Sequence, residues 1–362
     1  MTELVVTRYF TYWRAIELGS AQVLEGLVAR EHDAPSLALA RRIAEWDGHH
    51  YWQDSPEGRW LVLVQEHQRP GERWWLHAAL FVITLIATSV GGAALAGFSG
   101  IWYYPTLAEV RAGLPFSLPL LAILLAHESG HYVVARHYRV NASPPYFIPF
   151  PAHLNILGTL GAFIRLRSAV FDRRTLFDIG VAGPLAGLVV AVPVLLAGLA
   201  LSVVEPAGPV APLAHQYLAL SVDGGIFIGD SLLMSACRAV MGIHGAVRLH
   251  PIAMAGWVGL LVTSLNLLPL AQFDGGHIAY AMFGRAQPWV ARLFWIALVP
   301  LGYFFWEGWW LWAGLGLLVG RGRLGHPSVV AAERPLDPWR QAVGWFAAAI
   351  FVLTFMPSPL SF

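Results

Sequence analysis

Seven long apolar runs, at about 75–97, 115–138, 176–203, 251–271, 287–305, 307–320 and 339–357, constrain this chain more than any other feature. Crossing about 30 Å of hydrocarbon takes about 20 apolar residues of helix. Only helices and closed barrels satisfy their backbone polar groups inside a bilayer. Hydrophobic residues make up 57% of the 362 and charged residues 12%, outside the usual range of soluble domains. The expected fold is an all-α polytopic membrane protein of about six to seven transmembrane helices, with 287–320 its least distinct stretch. The segment 140–170 is too rich in Pro and Gly for a straight span and reads as a re-entrant or β-hairpin segment.

Residues 1–72 are polar enough for a small soluble N-terminal region, and no apolar run behind a basic start marks a cleavable signal peptide. Within it, Tyr9 to Val28 and Ser36 to Trp46 show helical periodicity, while Tyr51 to Val62 reads as strand, turn and strand. Cytoplasmic loops accumulate basic residues. With the N-terminus inside, that face receives the N-terminal arginines together with Arg136, Arg139, Arg165, Arg167, Arg173, Arg174, Arg285, Arg292, Arg321, Arg323, Arg334 and Arg340. Arg111, Arg238 and Arg248 face the other way, and Trp306, Trp309, Trp310 and Trp312 fit an outer aromatic belt. A net charge of +1 leaves no nucleic-acid footprint. Cys237 is the sole cysteine, which excludes an internal disulfide and a thiolate metal cage.

Chemistry concentrates in Leu124 to Val134, where His127, Glu128 and His131 form an HExxH motif within an apolar helix. Histidines four residues apart share a helix face and can bind one zinc ion. Glu128 is rotated about 100° from His127, so its carboxylate suits a general base rather than a ligand. The alternative is a pair of histidines hydrogen-bonded to neighbouring helices. Ionisable groups inside a span are costly and usually mark a functional site.

A zinc site with catalytic chemistry takes a third protein ligand and keeps a fourth position open. Asp274 is the candidate, because Pro269 and the Gly275-Gly276 pair should break the helix where that carboxylate points inward. The competing reading is an Asp-Gly surface turn, and His277 and His153 are the competing ligands. Asp178, near the start of the third run, is expected to cap its helix. A His, His, carboxylate set suits zinc over other divalent ions.

His127-Glu128-Ser129-Gly130-His131, with Asn266, Pro269, Asp274 and Gly275 in an NxxPxxxxDG arrangement, resembles the site-2 proteases, which are membrane-embedded zinc metallopeptidases. The resemblance covers roughly residues 75–285. Pro144 to Pro149, Gly158 to Phe163 and Leu176 to Pro184 look like the branch found in bacteria and plastids. Phe273 stands where the family usually has Leu, which alters packing and not the ligand set.

The resemblance implies regulated intramembrane proteolysis of a single-span transmembrane protein, with His127, His131 and Asp274 holding one zinc ion and Glu128 as catalytic carboxylate. Asn266 would position substrate or stabilise an oxyanion, or else serve an interhelical hydrogen bond. Gly158 and Gly161 would let a substrate strand approach the 140–170 segment, unless that segment merely plugs the interior. The division that follows is 1–72 soluble, 73–285 catalytic membrane core and 286–362 additional C-terminal helices. The expected location is the bilayer of a bacterial plasma membrane, with the site nearer the cytoplasmic face. A metal-ion transporter would show several sites along a pathway and an internal repeat, and a silent scaffold would tolerate loss of a key residue.

Overall fold

The computed structural model describes residues 7–18, 21–32, 36–46, 48–66, 71–98, 105–167, 170, 172–204, 217–220, 226–326, 329 and 336–361. The backbone divides into two compact units, Met1–Glu72 with Leu166–Ala169, and Arg73–Arg165 with Val170–Phe362.

The first unit holds β1 (Phe10–Leu18), β2 (Ala21–Val28), α1 (Leu37–Ala44), β3 (His49–Ser55) and β4 (Gly58–Glu66). These strands form one antiparallel sheet in the order β1-β2-β4-β3. Ser36 opens α1 by accepting a hydrogen bond from the Leu39 N–H. Leu39 then packs beside Tyr9, Leu24, Val28, Leu61 and Leu63. The helical periodicity expected over Tyr9 to Val28 is overturned, because this stretch is a β-hairpin. Aromatic and β-branched residues such as Phe10, Thr11, Tyr12, Trp13 and Val23 fit a pleated surface. Pairing of β2 with β4 on its other side outweighs the local pattern.

The second unit begins with α2 (Trp74–Leu95), α3 (Leu107–Ala112) and α4 (Leu114–His137). A two-stranded antiparallel sheet of β5 (Tyr146–Pro149) and β6 (Thr159–Phe163) follows, so the 140–170 segment is a hairpin. Then come α5 (Arg173–Ala200), β7 (Val203–Val204), β8 (Tyr217–Leu220), β9 (Ile226–Gly229), α6 (Leu232–Val240) and β10 (Val247–Arg248). The chain closes with α7 (Pro251–Asn266), α8 (Asp274–Phe283), α9 (Gln287–Phe304), α10 (Gly308–Val319), α11 (Pro338–Thr354) and β11 (Leu360–Ser361).

All seven apolar runs are helical, and among the described residues α2, α4 and α5 are long and apolar enough to cross a membrane. The fourth run is cut short because α7 ends at Asn266, three residues before Pro269. Buried residues of α4, α5 and α7 form one core, including Leu120, Ile123, Leu124, Leu195, Leu260 and Leu261.

Asp172, and not Asp178, caps α5: its carboxylate accepts from the backbone N–H groups of Arg174 and Thr175, both at 2.9 Å. Asp178 lies past the first turn, where no orphan backbone donor remains. It bonds Tyr138 and Arg340 instead.

Candidate metal centre

The HExxH segment sits well inside α4, so His127 and His131 fall one turn apart on the same face. Their rings lie 4.9 Å apart, and both residues are buried. Facing them, α5 presents glycine where most residues would collide. A Cβ at Gly183 would come within 2.0 Å of His131 Nε2, and one at Gly187 within 3.2 Å of His127 Cβ and Nδ1.

Asp274 arrives on a later segment. The chain leaves α7 at Asn266, turns through Leu267 to Phe273 and re-enters helix with Asp274 as the first residue of α8. Gly275 and Gly276 pass tightly over this turn, since a Cβ at either would meet backbone carbonyls of residues 267–271 within 2.6 Å. Ala271 takes a positive φ of 43° and donates its N–H to the Leu324 carbonyl at 2.8 Å.

Three ligand atoms converge. His127 Nε2 lies 3.1 Å from Asp274 Oδ2, His131 Nε2 lies 3.3 Å from the same oxygen, and the two imidazole nitrogens are 3.2 Å apart. Donor atoms about 2.0 Å from a tetrahedral zinc lie about 3.3 Å from one another, so this near-equilateral triangle has the size of one face of such a site. His131 Nδ1–H donates to the Ile179 carbonyl at 2.7 Å, which turns the Nε2 lone pair toward the centre. The donor set therefore fits zinc in number, type and spacing.

Glu128 is buried beside this triangle, next to His127 in α4. Asn266 Nδ2 lies 3.3 Å from His127 Nε2. His277 is one turn beyond Asp274 and pairs with His326 at 2.8 Å. His153 falls in the loop between β5 and β6. Among the described residues, His127, His131 and Asp274 are the one group of three His, Cys, Asp or Glu side chains that could hold a metal ion. Gly158 takes φ 70° against the Ala87 carbonyl, whereas Gly161, at φ 100°, has open space where a side chain would stand.

Sequence reasoning missed the Ile179 carbonyl and the roles of Gly183 and Gly187. The small-residue run Ala182-Gly183-Pro184-Leu185-Ala186-Gly187 was the available signal, because a helix that must pass close to two imidazoles cannot carry side chains there.

Apolar helices surround a His, His, carboxylate triangle whose histidines are buried, with a glutamate adjacent, the donor set of a membrane metalloenzyme. Residues 115–298 match Peptidase family M50, and the chain belongs to that family. It is 35% identical to the probable zinc metalloprotease EGY1, chloroplastic, of Arabidopsis thaliana over 68% of this chain and 43% of that protein. The EGY1 protein of Oryza sativa subsp. japonica is 34% identical over 69% of this chain and 42% of its own length. The Arabidopsis thaliana EGY2 protein is 27% identical over 72% and 44%. The chain thus spans less than half the length of these relatives. No solved structure matches it.

Proposed function

We propose that this protein is an intramembrane zinc metalloprotease that hydrolyses a peptide bond in the transmembrane segment of a single-span protein. The observation that carries the reading is the convergence of His127, His131 and Asp274 beside Glu128 in an apolar helical core. These three residues would hold zinc, which when bound polarises a scissile carbonyl and acidifies a water. Glu128 then takes a proton from the attacking water as its oxygen bonds the carbonyl carbon. The same carboxylate returns the proton to the amide nitrogen as the C–N bond breaks. Asn266 offers an N–H donor for the oxyanion that develops.

A transmembrane helix must be unwound before its backbone can reach such a site. β6 pairs with β5 along one edge, and the open surroundings of Gly161 on this two-stranded sheet support substrate strand addition. In this reading about six to seven apolar helices cross the bilayer of a bacterial plasma membrane, with the N-terminal region and the site toward the cytoplasm. The arginine distribution supports that orientation. Residues 1–72 form the soluble region, 73–285 the catalytic core and 286–362 the additional helices.

Wild type and Glu128→Gln, purified in detergent, test the mechanism through bound zinc and cleavage of single-span model substrates. The variant should keep one zinc per chain and lose about 10²- to 10⁴-fold in cleavage rate. A wild type that binds no zinc, or a variant that still cleaves at the wild-type rate, overturns it.

A further inference from the structure

From beyond the family-matched stretch, which ends at residue 298, two contacts fall on residues close in sequence to those that hold the metal centre. Arg340, in the first turn of α11, donates from Nε and Nη2 to the two oxygens of Asp178 at 2.8 and 2.6 Å. Tyr138, just past α4, donates to the same carboxylate at 2.5 Å, and Arg340 Nη2 lies 3.2 Å from its hydroxyl. Asp178 directly precedes Ile179, whose carbonyl orients His131. Asp337 secures the far side of the fork, bonding Arg340 and also Arg174 at 2.9 Å.

The second contact lies on α8. His326 Nε2 meets His277 Nδ1 at 2.8 Å, one turn beyond Asp274. Its backbone N–H donates to Gln287 Oε1 at 2.9 Å, and its ring lies 4.9 Å from that of Tyr280. Two residues earlier, the Leu324 carbonyl accepts from Ala271 N–H in the turn that delivers Asp274.

We propose that Arg340 in α11 and His326 in the stretch after α10 are positioning residues for the metal centre, fixing the two backbone segments that aim His131 and Asp274. A bidentate guanidinium–carboxylate pair fixes angle as well as distance. Held by Arg340 and Tyr138 together, Asp178 sets the rotation of α5 about its own axis and so the direction of the Ile179 carbonyl. The imidazole pair sets the rotation of α8 in the same way. Partners outside the ligand shell commonly govern metal affinity through such orientation.

This inference rests on the metal reading of His127, His131 and Asp274. Zinc affinity by chelator competition and the visible spectrum of the cobalt-substituted protein read it without any cleavage assay. Arg340→Gln and His326→Ala should each weaken zinc about 10- to 100-fold and shift the cobalt spectrum. Arg340→Lys and His326→Gln, which retain charge or hydrogen-bonding reach, should fall between those variants and wild type. Thr354→Val removes a buried hydroxyl bond at the far end of α11 and serves as the control for general loss of stability. If Arg340→Gln does not fold, Tyr138→Phe removes two bonds from the same cluster, those to Asp178 and Arg340, and should shift zinc affinity in the same direction. Folded variants with wild-type affinity and spectrum overturn the inference, as does equal weakening by Thr354→Val. Absence of zinc and cobalt binding in wild type would overturn the metal reading itself. That failure is distinct, because it leaves nothing for His127→Ala to abolish.

Discussion

Gly183→Ala puts the metal site to its most quantitative test. The new Cβ would stand 2.0 Å from His131 Nε2 and 2.4 Å from both ring carbons bonded to it, about 1.4 Å short of an ordinary 3.4 Å contact. His131 is held on its other nitrogen by Ile179, so the ring cannot swing away and keep that bond. Metal–ligand bonds tolerate errors of about 0.2 Å, far less than the displacement required. Overpacking a tight interior costs about 1–3 kcal/mol, and alanine recovers about 1 kcal/mol of helix propensity over glycine. The metal-free protein should therefore unfold within about 2 kcal/mol of wild type, while zinc affinity falls at least 100-fold, as loss of a ligand would produce. Gly187→Ala supplies the graded comparison, because its Cβ would meet His127 at 3.2 Å and a shift of a few tenths of an ångström relieves it. Chelator competition measures affinity, and thermal unfolding of the metal-free protein measures stability. A Gly183→Ala protein with wild-type zinc affinity, or one weakened no more than Gly187→Ala, would refute the argument.

Two further outcomes follow from helix ends away from the centre. Asp172→Ala leaves the Arg174 and Thr175 N–H groups without their cap and should destabilise the protein by about 1 kcal/mol, read as a lower unfolding midpoint in detergent; an unchanged midpoint would show that α5 does not depend on it. Glu109 closes a capping box on α3, and hydrogen bonds from the Thr106 side chain and backbone hold its pKa below the ordinary 4.5. A lowered carboxylate pKa contributes stability above the unfolded value that disappears as pH falls through the folded one. The protection of amides 107–112, their exchange rate relative to the unstructured rate at the same pH, should accordingly fall below about pH 4.5, and Glu109→Gln should remove that dependence.

The parts of the fold legible in the sequence were those written in one residue type or one period. Long apolar runs announce helices whatever they pack against, and Pro269 with Gly275-Gly276 marks a break because backbone chemistry is local. The His127 and His131 pairing follows from helix geometry alone. The hairpin over Phe10–Val28 did not show itself, because β2 is fixed by β4, more than 30 residues away. Asp178 was misread for a related reason. A carboxylate near a helix start has two plausible uses, and its partner here lies 162 residues on, at Arg340. The narrow seat for His131 was equally hidden, since a glycine's importance lies in what its neighbour would strike.

Placing Asp274 as the first residue of α8 has a consequence for metal exchange. The two histidines sit in mid-helix, where the backbone is bonded on both sides, whereas the third ligand occupies a terminus, and helix termini fray first. Each brief unwinding of that first turn would withdraw one of three anchors and leave two protein ligands to hold any bound ion. Residence time would then be governed by the closing of a helix end. Groups that bolt down the turn before Asp274 would lengthen it even where they leave the resting geometry unchanged.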